Sequence, residues 1–321
     1  MRAQKETRVL PYGPEAVAEA ARLILAGEPV AVPTETVYGL AADATNAEAA
    51  ERIYAAKGRP SFNPLIVHVP GLAEAERIGV FGDAARRIAE AFWPGPLTLV
   101  VPLREGSGIS PRLTAGLDTV ALRAPAHPAM RDLLAAAGRP LAAPSANASG
   151  GISPTSAEHV VKSLGERIGL VIDGGSSERG LESTIVRVDD AGVRLLRPGP
   201  ISLEQIEAAA KAPPCHGPDA QGEGVVAPGM MASHYAPSKP LRLNVRAAEP
   251  DEWFVGFGSV AGDENLSPSG DLDDAAATLF AALHRGDAAS KPRIAVAPIP
   301  EEGIGVAIND RLRRAAAPRD S

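Results

Sequence analysis

Hydrophobic positions along this chain recur with two spacings, one of about 3.6 residues and one of two, and the switches between them mark out its elements. Pro14 opens a helical pattern whose apolar positions Val17, Ala18, Ala21 and Leu25 keep one face, and Gly27 follows as a stop. Pro-Val-Ala-Val-Pro then predicts a short buried strand, Asn46 can cap a helix through Ala56 that Gly58 ends, and Leu65 to Val69 predicts the next strand. Lys57 and Arg59 therefore flank a helix C-terminus. Further strands are predicted at Leu97 to Leu103, Thr119 to Arg123, Leu141 to Ala143, Leu170 to Ile172, Thr184 to Val188 and Val193 to Leu196. Helices are predicted at 83–93, 128–137, 155–164 and 202–211.

This irregular alternation points to an α/β (mixed α+β) fold, a twisted, largely mixed sheet with flanking helices, rather than a regular doubly wound repeat. From Ala212 to Lys239 the composition turns to Pro, Gly and His with little apolar periodicity, as a linker does. Beyond it, Leu241 to Val245, Trp253 to Phe257 and Ile294 to Ala297 predict strands, with helices at 272–284 and 304–316. The organisation expected is a unit over 1–211, a linker over 212–239, and a smaller α/β unit over 240–321.

Composition narrows the function classes. The chain has 321 residues, 45% of them hydrophobic, and one cysteine, Cys215. A lone cysteine excludes an internal disulfide framework and a multi-cysteine metal site, and favours a reducing compartment. No run approaches the ~18 apolar residues of a membrane-spanning helix, and the charged N-terminus lacks the apolar stretch of an export signal, so a cytoplasmic protein is expected. Net charge is −7, with no basic excess in the first 211 residues or in the rest, which argues against a broad nucleic-acid face.

Common nucleotide motifs are absent. Gly175 and Gly180 have the spacing of a P-loop, but Leu181 stands where that loop needs Lys. Gly256, Gly258 and Gly262 place the third glycine of a dinucleotide fingerprint one residue late. There is no His-Glu-x-x-His pair and no Gly-x-Ser-x-Gly elbow. What remains is a set of oxyanion donors: Lys57, Arg59, Arg123 and Arg197, the hydroxyls of Thr34, Thr36, Ser145, Ser153 and Ser183, and the amides of Asn63 and Asn147. Arg offers bidentate geometry to an anion and Lys a mobile point charge, so Lys57 and Arg59 at a helix end could hold a triphosphate. The alternative is that both are solvated residues favoured by the helix dipole. His68, alternating to one face of its strand, and Ser145-Ala-Asn147, following another, likewise admit structural readings.

Seven segments, in order, closely resemble the YrdC-type threonylcarbamoyl-AMP synthase family. They are Pro33-Thr-Glu-Thr-Val-Tyr-Gly-Leu40, Lys57-Gly-Arg-Pro-Ser-Phe-Asn-Pro-Leu-Ile-Val-His68, Trp93-Pro-Gly-Pro-Leu-Thr98, Thr119-Val-Ala-Leu-Arg-Ala-Pro125, Pro144-Ser-Ala-Asn-Ala-Ser-Gly150, Ser183-Thr-Ile-Val186 and Leu196-Arg-Pro-Gly199. Pro228-Gly-Met-Met-Ala-Ser-His-Tyr-Ala-Pro237 resembles the linker of the family's long form, which carries a second small domain. Met231-Ala-Ser departs from that form's basic or aromatic residue between the Met and the His.

The resemblance implies a nucleotidyltransferase that makes L-threonylcarbamoyl-AMP and pyrophosphate from L-threonine, bicarbonate or CO2, and ATP. A downstream transferase then moves the threonylcarbamoyl group onto the adenosine beside the anticodon of tRNA, so any contact with tRNA is expected to be indirect. By similarity, threonine falls to Thr36, His68, Arg123, Ala143 and Ser183, with Arg123 the partner of its carboxylate. ATP falls to Lys57, Arg59, Asn63, Thr119, Ser145, Asn147, Ser153, Arg197 and, as a lid on the linker, Tyr235; Thr34 could serve either ligand. Lys57 and Arg59 are the catalytic candidates, and Mg2+ is expected to arrive on the ATP phosphates rather than in a protein cage. The competing readings are a non-catalytic RNA-binding module and a carbamoyl-transfer or hydrogenase-maturation protein with a similar domain, although the zinc-finger cysteines of the latter are missing.

Overall fold

The computed structural model describes residues 6–189, 192–211 and 233–318. Ten strands form one mixed sheet: β1 (Arg8–Pro11), β2 (Val30–Val32), β3 (Gly39–Asp43), β4 (Ile66–His68), β5 (Leu97–Pro102), β6 (Thr119–Arg123), β7 (Leu141–Ala142), β8 (Leu170–Asp173), β9 (Thr184–Asp189) and β10 (Gly192–Arg197). Their order across the sheet is β1-β8-β2-β3-β7-β4-β6-β5-β9-β10, with parallel and antiparallel neighbours interleaved, as expected of a mixed sheet. Eight helices accompany it: α1 (Pro14–Leu25), α2 (Ala47–Lys57), α3 (Leu72–Ile78), α4 (Asp83–Phe92), α5 (Pro111–Thr114), α6 (Pro128–Ala137), α7 (Ala157–Leu164) and α8 (Leu203–Ala210).

Both faces of the sheet are covered, which is why its central strands read as short continuous apolar runs. Alternation along each strand then sorts the side chains between the faces. Leu97, Leu99 and Val101 of β5 enter the main core with Leu122 and Val186, whereas Val100 joins a small cluster of Ile66, Ala121 and Ile185, with Leu196 partly buried against it, on the opposite face. That thinly covered face holds the site. His68 lies two residues beyond Ile66, Arg123 two beyond Ala121, and Ser183 two before Ile185, so all three emerge on it.

The smaller unit is a parallel sheet ordered β11-β14-β12-β13, from β11 (Leu241–Arg242), β12 (Glu252–Gly256), β13 (Glu264–Asn265) and β14 (Arg293–Val296), with α9 (Leu272–Ala288) and α10 (Gly305–Ala316). Its core is Phe254, Val255, Leu279, Phe280, Leu283, Ile294, Val296 and Ile308. The same cluster takes in Val37, Ile152, Leu181 and Tyr235, so this unit packs on the site-bearing end of the larger one. Gly180 shows how close the packing is: a Cβ there would stand 2.4 Å from the Ala276 carbonyl oxygen, and its φ is +66°.

Several boundaries differ from the sequence pattern. β3 and β1 are not predicted; Gly39-Leu-Ala-Ala-Asp43 has little strand propensity and is held by pairing with β2 and β7. The strand predicted at Leu241 to Val245 stops at Arg242, since Asn244 turns to φ 59°. α9 runs four residues past the predicted end, and α3, α5 and β13 are additional. The part of the predicted linker over 212–232, including Cys215 and Pro228-Gly-Met-Met-Ala, lies outside the described residues.

Candidate active site

Helix α2 delivers two cations. Asn46 Oδ1 accepts from the backbone N–H of Glu48 and Ala49, and Gly58 closes the helix in the left-handed conformation at φ 60°. Lys57 thus ends the last turn and Arg59 begins the loop. Neither is the solvated residue of the helix-dipole alternative: they are 2% and 8% exposed. Lys57 Nζ donates to the carbonyls of Ser145 at 2.6 Å and Asn147 at 2.5 Å, joining the two strand-end segments of the larger unit. Arg59 Nη2 donates to Pro64 O at 3.1 Å, and its Nε to Asn63 O.

Among the described residues neither cation meets a carboxylate at ion-pair distance. Burial, and then the neighbouring Arg59, push the Lys57 ammonium well below its usual range, and burial brings the Arg59 guanidinium down to about 10. Buried His234 is also held well below its ordinary range, by burial first and then by Arg59, Lys57, Arg197 and Arg311 around it. Uncompensated positive charge out of water is costly, and an anion entering here would relieve it.

The second half of the site comes from strand register. His68 of β4 pairs with Arg123 on β6 and Leu141 on β7. Burial pushes His68 down to about 3, so its imidazole is neutral at physiological pH. Arg123 Nη2 stands 2.7 Å from Glu35 Oε1, both residues buried, an ion pair without an aligned N–H bond. Burial pushes the Glu35 carboxyl up, but the guanidinium outweighs it and holds the group below its ordinary range. Ser183 Oγ lies 2.8 Å from Thr98 Oγ1, and Arg197 donates to Ser183 through Nε (3.1 Å) and Nη2 (3.0 Å). A register shift between Leu195 and Arg197 in β10 brings that arginine to the site.

These elements enclose a narrow cavity of about 40 Å³. Of the residues predicted, Thr36, Arg59, His68, Arg123, Ala143, Ser145, Ser183, Arg197 and Tyr235 line it. Six others do not. Thr34 is used inside its own turn, donating to Val37 O at 2.6 Å and meeting Thr36 Oγ1 at 2.8 Å. Asn147 closes the next turn through Ala148 O and Gly151 O, and Lys57 and Asn63 sit behind the wall. Thr119 starts β6, at the opposite end from Arg123. Ser153 donates its proton to Glu182 Oε1 at 2.5 Å. A larger cavity of about 370 Å³ lies along Ala148 to Ile152, His159, His284 and Asp287; it contains none of the predicted site residues.

Four site groups, Glu35, Glu182, His234 and Arg311, are not among the predicted residues, although His234 lies inside the quoted linker segment. Glu35 and Glu182 lie inside or beside quoted motifs but become visible only through their partners. Arg311, from α10, is fully buried and reaches Glu182 Oε2 at 2.8 Å and Pro198 O at 3.0 Å. Its guanidinium stands 5.1 Å from the ring of Tyr235, whose φ of 64° is unusual for a non-glycine residue. Among the described residues no helix is long and apolar enough to cross a membrane, and no three His, Cys, Asp or Glu cluster as metal ligands.

Comparison with known proteins follows this geometry. The family described as Telomere recombination (Sua5_yciO_yrdC) matches residues 22–199, and the family described as Threonylcarbamoyl-AMP synthase, C-terminal domain, matches 201–317. The chain is 41% identical to the threonylcarbamoyl-AMP synthase of Bacillus subtilis over 94% of its length and 93% of that protein's. It is also 41% identical to that of Pyrococcus abyssi, covering 94% of each chain. The crystal structure of Pyrococcus abyssi Sua5 complexed with L-threonine superposes with a TM-score of 0.85 at 37% identity, over 96% of both chains.

Proposed function

The chain belongs to the threonylcarbamoyl-AMP synthase family, and on that premise we propose how its residues make threonylcarbamoyl-AMP from L-threonine, bicarbonate or CO2, and ATP. The observation that carries the reading is the cavity's division. Arg59 lines the cavity with Lys57 behind the wall, both buried and meeting no carboxylate among the described residues, while His68, Arg123 and Ser183 form a second set of lining groups. The first suits a triphosphate, the second a small zwitterion.

Threonine binds against Thr36, His68, Arg123, Ala143 and Ser183. Its carboxylate approaches Arg123, whose Nη2 keeps hydrogen-bonding capacity beyond its contact with Glu35. The amine captures CO2 and loses a proton to give a carbamate. The carbamate oxygen attacks the α-phosphorus of ATP, forming one P–O bond as the bond to pyrophosphate breaks, which makes the enzyme a nucleotidyltransferase. Such a step needs alignment and charge neutralisation more than a covalent nucleophile. Lys57 and Arg59 supply charge at the phosphates, Arg197 and Ser145 hold the nucleotide from the cavity wall, and Asn63, Asn147 and Ser153 support it from behind; Thr119, at the far end of β6, takes no part. Tyr235, buried at the seam, excludes water from an intermediate prone to hydrolysis.

The carboxylates nearest the cavity, Glu35 and Glu182, are each committed to an arginine. Mg2+ therefore fits as an ion carried by phosphate oxygens, where it would neutralise part of the triphosphate charge. The product passes to a transferase that modifies tRNA. A non-catalytic RNA-binding module is disfavoured, because the cations are buried in a narrow cavity rather than spread over a surface. Mass spectrometry of products from ATP, threonine and bicarbonate tests the reading: threonylcarbamoyl-AMP and pyrophosphate are expected, and their absence with a folded enzyme would overturn it.

A further inference from the structure

The smaller unit places one buried side chain directly behind the larger unit's site. Arg311 is fully buried, and its donors reach three partners: Nε to Glu182 Oε2 at 2.8 Å, Nη1 to Asp310 Oδ2 at 2.6 Å and Nη2 to Pro198 O at 3.0 Å. Its guanidinium also covers the Tyr235 ring. Each contact but Asp310 adjoins a site residue: Glu182 precedes Ser183, Pro198 follows Arg197, and Tyr235 lines the cavity. A docking contact alone would be served as well by apolar residues, because a buried ion pair is weak evidence for stability.

What the charge accomplishes follows from Glu182. Its Oε1 takes the Ser153 proton and its Oε2 takes Arg311. It also lies within electrostatic reach of Arg197. Glu182 thus shares its charge between Arg311 and Arg197; deprived of Arg311, the buried carboxylate would fall back on Arg197 and neutralise more of its charge. α9 supports the same point, since the His284 ring nitrogen meets Ser153 O at 3.2 Å.

We propose that Arg311 is a positioning residue for the reaction. It holds Glu182 on Ser153 and shares its charge, so that Arg197 is not left as that carboxylate's sole counter-ion and keeps more of its charge for the triphosphate, while Tyr235 is held under the guanidinium. The smaller unit is thereby part of the nucleotide site. This rests on the reading that ATP occupies the cavity.

The test compares Arg311→Met, Arg311→Lys and the double variant Arg311→Met/Glu182→Gln with the wild-type enzyme. Pyrophosphate release is measured with ATP and threonine varied separately, ATP and threonine affinities by calorimetry, and folding by thermal melting. In Arg311→Met the KM and Kd for ATP should rise at least ~10-fold, about 1.4 kcal/mol, while threonine affinity moves less than ~3-fold. Arg311→Lys should fall between, because an ammonium cannot serve Glu182, Pro198 and Tyr235 together. The double variant should regain at least ~5-fold in ATP affinity, since it no longer buries an unpaired carboxylate. An unchanged ATP affinity in Arg311→Met would overturn the proposal. So would a folded double variant no better than the single one. Should Arg311→Met fail to fold, the double variant decides by the same comparison with wild type. A wild-type chain that binds ATP yet forms no product would overturn the reaction and leave the calorimetric test of Arg311 standing.

Discussion

Replacing Lys57 by Met should separate stability from activity. In the free enzyme the substitution removes two hydrogen bonds from a charged donor, to Ser145 O at 2.6 Å and Asn147 O at 2.5 Å. Each is worth about 1.5–3 kcal/mol. Against this, an ammonium held out of water carries a desolvation penalty of several kcal/mol, and Arg59 adds repulsion. The two sums are of similar size, so the net change in stability should stay within about 2 kcal/mol, a melting shift of a few degrees. With ATP bound the balance differs. A cation about 4 Å from a phosphate oxygen at an effective dielectric constant of ~20 contributes about 4 kcal/mol, an upper figure of roughly 1,000-fold in rate. Pyrophosphate release with saturating threonine and bicarbonate should therefore fall between ~10- and ~1,000-fold, with threonine affinity within ~3-fold of wild type. A Lys57→Met enzyme that melts normally and turns over within ~3-fold of wild type would refute the assignment of this cation to the phosphates.

Other outcomes follow from individual contacts. Asn46→Ala removes the cap that sets where α2 begins and should cost about 0.5–2 kcal/mol, read as a lowered denaturation midpoint with the m-value unchanged. Glu35→Gln should leave Arg123 buried without its carboxylate partner and destabilise the free enzyme by about 3–5 kcal/mol; saturating L-threonine should then raise its melting temperature more than it raises the wild type's, and an equal rise would count against Arg123 as the carboxylate's partner. His68 and His284 are each brought down to about 3 by burial, so the unfolded chain takes up protons on them below its own value of about 6.5 while the folded chain does not. Stability from these groups is complete above about 6.5 and is lost as pH falls toward 3; at pH 5 each should have given up about 2 kcal/mol. Urea denaturation at pH 7 and pH 5 should show the drop, and a His68→Gln variant should show a smaller one.

How much of this was legible in the sequence depends on whether the information was local. The cap at Asn46, the stop at Gly58 and the strand of Ile66 to His68 are set by their neighbours in the chain, and the pattern found them. β3 was missed because its Gly and Ala residues do not favour a strand; its pairing with β2 and β7 decides it. Within the site, the sequence pointed to Lys57 and Arg59 as residue types and left their burial open; for Lys57 the covering segment, Ser145 to Asn147, is some ninety positions away.

The carboxylates mark the limit more sharply. Glu182 lies beside Ser183 and Glu35 between Thr34 and Thr36, yet a carboxylate next to a hydroxyl in sequence predicts nothing until its partner is known. Arg123 is 88 positions from Glu35 and Arg311 is 129 from Glu182; Arg311 stands in a helix whose charged residues otherwise read as a solvated face. Period-two alternation did carry half of the answer, for it puts His68 with Ile66, Arg123 with Ala121 and Ser183 with Ile185. The other half is the strand order that sets β4, β6, β5 and β9 side by side, and with it the single face on which those three polar ends converge. A site built across strand ends is thus written in the sequence as separate fragments, and only the sheet's pairing makes them one cavity.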